Sequence, residues 1–339
     1  MKKSRPDSYQ PPYPAYQSHF ASGHDDFVMA MASVQARQQS AAEQLTNELL
    51  ALLLVDRECK PLHVERGTQT DASGYHNDVF MPYWKDKQDM HGFWEREDVQ
   101  SWMSKPRKGD AGWWRETIVA PVTSLDGNYS LEKIDYGVGR YVEQKLEQFH
   151  AYFGSMRDRV VDYLSGEADG KKGQITRRDA VDSFGRRMRI SEMPDKLCFI
   201  RGPFGWDKAT EEEQQAFIDD MLPVFKTGAD YLRDNPLDSN CISMRFIDEV
   251  DMGLDNGVQV EILAWFLTLK DLERWTHHHP THLAIYRGVF EYMKRFDFQA
   301  RLNLGHEVIV VPSGGAVLEY CNCHPSTGFL PFFESVEIQ

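Results

Sequence analysis

Two stretches of this chain, separated by about half its length, read as the same folding unit. WWRETIVAP (Trp113–Pro121) and LGHEVIVVP (Leu304–Pro312) align residue by residue, so that Glu116 meets Glu307, Pro121 meets Pro312 and Arg115 meets His306. Ahead of each lies a run with strand-like alternation, GYHNDVFMPYW (Gly74–Trp84) and NGVQVEILAWF (Asn256–Phe266). Each run is followed by a helical start, Lys85–Met103 and Lys270–Trp275, and Trp84 to Trp94 and Trp265 to Trp275 are both ten residues apart. A strand–helix–strand unit used twice predicts a duplicated α+β fold with antiparallel sheets and helices on one face. The two pseudo-repeats are expected at about 26–125 and 195–315, joined by a helical and irregular segment.

The rest of the chain is built around that pair. Residues 1–16 begin MKKSRPDSYQPPYPAY, and their prolines remove donors and disfavour helix, which predicts an extended arm. A single folded domain over 17–339 is expected to follow. Helices are predicted over Ala32–Leu54 and Glu211–Arg233. With 339 residues, 41% of them apolar, the chain can bury a sizeable core. Its net charge of −14 repels nucleic-acid backbones and anionic membranes, so neither is an expected partner. The start has no apolar stretch of the secretory kind, and the run LLALLLV (Leu49–Val55) is too short to span a bilayer. Five scattered cysteines offer no disulfide framework. A cytoplasmic protein is expected.

Six of the twelve histidines fall at or after position 277. Pro280 suits the first turn of a helix over about Thr281–Phe296, and His282, Ile285, Tyr286, Val289, Met293 and Phe296 then share one face. His306 shares a strand face with Leu302, Leu304, Val308 and Val310. Gly305 beside it marks a bulge or leaves room for something bulky on the other face. His277, His278 and His279 precede a proline and read as a solvated turn. CNCH (Cys321–His324) has neither zinc-ligand spacing nor the CxxCH of covalent haem attachment. Two inward-facing histidines suit the axial and distal positions of a non-covalent haem.

LERWTHHHPTHLAIY, LGHEV, EYCNCHPSTGFLPFF and FGSMRDR, specific through their order and spacing along the chain, together resemble the haem-containing aldoxime dehydratases, in particular their phenylacetaldoxime branch. YQPPYP (Tyr9–Pro14), SGYHNDVFMPYW and GADYLRDN extend the resemblance over nearly the whole chain. It implies a dimer, each chain folded as two ferredoxin-like halves of the dimeric α/β-barrel type, and a b-type haem active as Fe(II). The proximal iron ligand would be His282, the distal catalytic histidine His306, and the essential distal arginine Arg159. Without the resemblance, Arg157 and Arg159 read as surface charges flanking Asp158. Two positions depart from the family pattern. Gly202 of IRGPFGW stands where a Ser or Thr hydroxyl would bond the oxime oxygen, so water or Arg159 would take that contact. Asp126 stands where a longer Glu is usual, with a shorter reach toward the distal Arg–His pair. His324 has family-like surroundings and no assigned role.

The activity implied is a lyase reaction, the dehydration of R–CH=N–OH to a nitrile and water. Hydroxide leaves poorly, so His306 would protonate it as a general acid and then take the C–H proton as a base. The competing readings are a haem peroxidase or chlorite-decomposing enzyme on a similar fold, and a haem sensor without catalysis. Some relatives respond to a flavin or an external reductant, and the sequence contains no flavin-binding motif.

Overall fold

The computed structural model describes residues 3–179, 182–253 and 257–338. The chain opens with β1 (Ala15–His19) and β2 (Asp26–Ala36). Then come α1 (Gln39–Leu54), β3 (His63–Thr70), β4 (His76–Tyr83), α2 (Lys87–Glu95), α3 (Glu97–Ser104) and β5 (Gly112–Pro121). The middle holds β6 (Leu125–Tyr129), β7 (Glu143–Glu147), α4 (Ser155–Arg159), α5 (Val161–Ser165) and β8 (Arg187–Ile190). β9 (Lys196–Gly205), α6 (Glu211–Ala216), α7 (Leu222–Asp234), α8 (Pro236–Ser239) and β10 (Cys241–Glu249) follow. The chain ends with β11 (Val260–Phe266), α9 (Leu269–His278), α10 (Pro280–Arg295), β12 (Asn303–Pro312), β13 (Leu318–Cys321) and β14 (Ser335–Ile338). Among the described residues no helix is long and apolar enough to cross a membrane.

Fourteen strands among the described residues join in one sheet, in the order β14-β8-β13-β5-β2-β4-β3-β10-β11-β9-β12-β6-β1-β7. Two groups of four strands stand out, β5-β2-β4-β3 and β12-β9-β11-β10. In each, the last strand lies beside the first, then the third, then the second. The groups meet at a short β3–β10 junction, where Asp248 pairs with Thr68 and Glu249 with Gly67. Their inner faces share one core, with Met29, Met31, Val79 and Ile118 from the first group and Phe199, Ile247, Leu263, Trp265 and Ile309 from the second. The outer face of the first group is covered by α1, α2 and α3, and that of the second by the helices from α6 to α10.

Side-chain caps explain the starts of several helices. Asp86 caps α2 by accepting the Asp89 amide at 2.9 Å, and Thr268 caps α9 by accepting the Asp271 amide at 3.3 Å. Pro280 opens α10 as expected, and the ring of His279 caps it by accepting the Thr281 amide at 3.3 Å. The helix expected over Glu211–Arg233 is broken into α6, a π-turn over Phe217–Met221, and α7. Pro223 has no amide hydrogen to continue the helical ladder, and the backbone widens just before it. The helix expected to start at Ala32 is wrong in its first part: Asp26–Ala36 is the strand β2, and helix begins only at Gln39. β2 is central, with β4 and β5 on either side and both faces buried, so its alanines and methionines show no alternation to read. The strand expected from Asn256 starts at Val260; Asn256 itself, like residues 1 and 2 of the arm, lies outside the described residues.

Candidate functional site

β12 sets the site by its register. Leu304 pairs with Phe204 and Glu307 with Arg201, which places His306 opposite Gly202 of β9, while on the other edge His306 pairs with Asn128 of β6. Gly202 pairs in turn with Ile262 of β11 and Ile262 with Phe246 of β10. Asn128, His306, Gly202, Ile262 and Phe246 therefore form one row across the sheet, on the face that looks toward the helices. Neighbouring rows on that face carry Asp126, Val308, Ile200, Ala264 and Met244.

Asp126 ties the polar end of this face together. It is fully buried and takes a two-pronged contact from Arg159, Nε to Oδ1 at 2.9 Å and Nη2 to Oδ2 at 2.6 Å. His306 Nε2 lies 2.9 Å from the same Oδ2 and 3.4 Å from Arg159 Nη2. Arg159 Nη1 donates to the Phe149 carbonyl at 2.6 Å. Burial alone would raise the Asp126 carboxyl, but the charge and hydrogen bonds of Arg159 and the contact of His306 hold it below the usual carboxylate range. Burial works against the Arg159 charge, and Asp126 more than compensates, so its pKa is raised. Asp126 is thus an anion and can only accept, and the guanidinium can only donate. The shorter contact assigns the Nε2 hydrogen of His306 to Asp126 and leaves Nδ1 without a partner among the described residues. Of the three side chains His306 is the most open, 34% exposed against 2% for Arg159 and 0% for Asp126.

His282 sits one turn into α10. Its ring stands edge-on to Trp275 at 4.7 Å, and its Nδ1 is buried without a hydrogen-bond partner among the described residues. Burial, with the Thr276 backbone pulling the other way, pushes its pKa down to about 4. The ring is therefore neutral near pH 7 and keeps a lone pair, as a metal ligand must. α7 and α9 lie directly on β9, β10 and β11, whereas α10 packs mainly on α7 and α9. Between α10 and the strands the apolar side chains stay half-buried: Ile200, Met244, Phe246, Ile262 and Leu304 from the sheet, Val224 and Val289 from the helices. A neutral imidazole with one nitrogen unpartnered among the described residues, beside an apolar, incompletely covered face, fits a flat apolar cofactor whose metal takes a nitrogen ligand.

The side chain of Gly202 is missing for a reason visible in the packing. A Cβ there would stand 2.8 Å from Cγ1 of Ile262 and 3.2 Å from its Cδ1, so Ile262 occupies the space beside His306 that a Ser or Thr would need. Gly305 serves the opposite face, where a Cβ would press on Tyr129 and Tyr136, each at 2.7 Å. That face holds a buried charge cluster directly behind the site. Arg201 donates to Glu261 at 2.6 Å, to the Tyr83 hydroxyl at 2.7 Å and to Glu65. Glu307 accepts the Val138 amide at 2.7 Å and the Tyr129 hydroxyl at 3.1 Å. Three carboxylates around one guanidinium exceed its charge, and burial pushes the Glu261 and Glu307 carboxyls up.

The structure thus brings His306, Asp126 and Arg159 together, with Gly202 beside them, and sets His282 on the helix across that face. Arg159 is no surface charge; the surface reading fits Arg157 better, which bonds Glu273 at 2.6 and 2.7 Å and Asp169 at 2.7 Å. Asp126 lies behind His306 and Arg159, supporting them from a fully buried position. His277 and His278 end α9, His279 stacks on Tyr231 at 3.7 Å, and none of them joins a metal-binding cluster among the described residues. His324 is buried with Nε2 2.9 Å from Asp71 Oδ2 and Nδ1 accepting the Ser326 amide at 3.1 Å, a locked structural ring. A cavity of about 400 Å³ lined by Gln35, Asp71, Arg245 and His324 among others reaches Met244 and Phe246 but not His306, Asp126, Arg159, Gly202 or His282. Sequence reading missed Ile262 and the Phe149 carbonyl, because only cross-strand register and the chain's return past Arg159 place them here.

A model of the haem-containing dehydratase family matches residues 30–329. Phenylacetaldoxime dehydratase of Bacillus sp. (strain OxB-1) is 33% identical over 99% of this chain and 96% of its own length. Aliphatic aldoxime dehydratase of Rhodococcus erythropolis is 31% identical over 96% of this chain and 92% of its own. A crystal structure of an aldoxime dehydratase superposes with a TM-score of 0.86 at 29% identity, covering 98% of this chain and 95% of that one. A second, of an aldoxime dehydratase in complex with butyraldoxime, also gives 0.86, at 27% identity over 98% of this chain and 93% of that one.

Proposed function

The chain belongs to the haem-containing dehydratase family, and from that premise we propose that it removes water from an aldoxime, R–CH=N–OH, to leave a nitrile. His282 holds the haem, and His306 moves the protons. The observation that carries this reading is the His306–Asp126–Arg159 trio on the sheet face across from α10. When bound, the haem supplies an electron-rich ferrous iron that weakens the N–O bond of the oxime.

Hydroxide leaves only with a proton, so His306 enters as imidazolium, with Nε2–H on Asp126 and Nδ1–H toward the oxime oxygen. Once Nδ1 has given its proton, its lone pair takes the hydrogen from the oxime carbon. Nε2–H stays on Asp126 through both steps, so the ring keeps one orientation. Arg159 uses Nε and one Nη2 hydrogen on Asp126 and one Nη1 hydrogen on Phe149. One hydrogen on each of Nη1 and Nη2 remains to orient the oxime oxygen and to offset the charge that develops on it. Gly202 offers no hydroxyl beside His306, so that recognition falls to Arg159 and His306. The half-buried Ile262, Phe246 and Leu304 suit an alkyl or arylalkyl group on the substrate.

Nitrile formation from phenylacetaldoxime by the reduced, haem-loaded protein tests the reading. A peroxidase would instead turn over peroxide in the ferric state, and a sensor would turn over neither. His306→Ala should keep the Soret band and lower kcat about 10²–10⁴-fold; wild-type nitrile production by that variant would overturn the assignment. His282→Ala should lose the band itself. The reading extends to a cytoplasmic homodimer whose two four-stranded units are ferredoxin-like duplicates; light scattering on the eluted protein checks the dimer.

A further inference from the structure

Arg159 ends α4, a helix of five residues, too short to hold itself in place. Its neighbour Asp158 is buried at 4% exposure and faces the first residues of the chain. The Asp158 carboxylate accepts the Ser4 amide at 2.8 Å on each oxygen, the Arg5 amide at 3.0 Å on Oδ2 and the Tyr152 hydroxyl at 2.7 Å. These are charge-assisted contacts, among the stronger hydrogen bonds a protein makes. The arm also grips the segment that precedes α4. Lys3 Nζ lies 3.6 Å over the Phe149 ring, and the Tyr9 hydroxyl donates to the Ala151 carbonyl at 2.7 Å. The Tyr9 and Tyr152 rings meet edge-on at 5.2 Å, and Tyr13 packs against His150 at 5.4 Å. Phe149 is the residue whose carbonyl receives Arg159 Nη1. The arm therefore touches both the residue before Arg159 and the residue that receives its guanidinium.

We propose that Asp158 is a positioning residue for the reaction: by gripping the amides of Ser4 and Arg5 it sets the Arg159 guanidinium against Asp126 and His306, so the N-terminal arm is part of the catalytic apparatus. This rests on the role given to Arg159 above. A displacement of about 1 Å in such a group costs up to about 100-fold in rate, so a slack α4 is expressed in kcat before it is expressed in haem binding.

The test uses Asp158→Ala and a chain that starts at Tyr9, both haem-loaded and reduced. Each should keep the wild-type Soret band and lose at least about tenfold in kcat, with KM within about threefold of wild type. Amide exchange over residues 149–159 should speed up in both, with or without substrate. Combining the two changes should cost no more than either alone, because they remove one contact from its two sides. Asp158→Glu should restore part of the lost kcat. Wild-type kcat in both variants, or losses that multiply in the combination, would overturn the proposal. If Asp158→Ala does not fold, the shortened chain still decides it. Arg159→Gln separates the two readings. Unchanged kcat there sinks the role of Arg159. Lost turnover there, beside wild-type kcat in the other two variants, sinks only the positioning by Asp158.

Discussion

In the first four-stranded unit the strand position that corresponds to His306 is Arg115, and it is sealed. Arg115 donates to Glu319 of β13 at 2.9 Å, Arg187 reaches the same carboxylate at 2.8 Å, and Trp94 stacks on the Arg115 guanidinium at 4.6 Å. The helix-facing side of that unit is filled by Trp84, Trp94, Trp102, Trp113, Phe80 and Phe93, all buried. In the second unit the matching face carries Gly202, Ala264 and Ile262, several of its apolar residues stay half-buried, and a histidine one-third exposed is attached to the Asp126 and Arg159 pair. On the strand flanking each unit a carboxylate is buried against guanidinium, Glu319 of β13 against Arg115 and Arg187 and Asp126 of β6 against Arg159. One unit closes the space above with buried indole rings; the other leaves half-buried apolar side chains beside a partly exposed histidine. A buried ion pair is thus no mark of function by itself, and what separates the two is whether a titratable group beside it can be reached.

This contrast is most sharply broken at the two carboxylates. Asp126→Ala leaves Arg159 charged and buried without its partner, which should cost about 3–5 kcal/mol in urea unfolding and abolish nitrile formation. Glu319→Ala should cost about 3 kcal/mol in the same measurement yet leave kcat unchanged in the folded fraction; a loss of kcat there would show that the first unit also serves the reaction. Gly202→Ser should destabilise by about 1–3 kcal/mol through the clash with Ile262, and Ile262→Ala in the same chain should recover most of it in thermal melts. Additive losses would mean that Ile262 does not fill the Gly202 space.

The smallest effects lie in the pH dependence. Against the cost of its burial, Arg115 and Arg187 hold Glu319 at about 2, below its ordinary 4.5. A carboxyl lowered in this way stabilises the fold fully above pH 4.5, and the contribution fades as pH falls toward about 2. Glu261 has the opposite sign. Its pKa is raised by burial, so its contribution is present below its ordinary 4.5 and is lost as pH rises through the raised value. Glu261→Gln should therefore flatten the alkaline side of the melting profile and leave the acid side to Glu319. An unchanged alkaline limb would remove Glu261 from the account.

Much of this was legible in the chain itself. The pairing of Trp113–Pro121 with Leu304–Pro312 located β5 and β12, the two strands that carry Arg115 and His306. Period two placed His306 among Leu302, Val308 and Val310, which the structure packs into one cluster. Pro280 marked the first turn of α10. β2 was not legible as a strand, because a strand buried on both faces shows no alternation. Arg159 was legible only through the resemblance of FGSMRDR to a known family, since two arginines flanking an aspartate read as surface charges. Asp158 carried no signal at all; its partners are backbone amides of the arm, and amides look alike in every sequence.

The sequence by itself determined the apolar faces of α10 and β12, the proline start of α10, and which two histidines lie on those faces, because these follow from spacing of two and of 3.6 residues along one segment. Only the tertiary structure decided that Asp126 joins Arg159 to His306, that Ile262 takes the space of Gly202, and that the arm holds Asp158. Those contacts cross 33, 180 and more than 150 positions of chain in the case of Asp126 with Arg159, Asp126 with His306, and Ser4 with Asp158. Contacts at that range are set by strand register and by how the packed layers meet, and no local pattern encodes either.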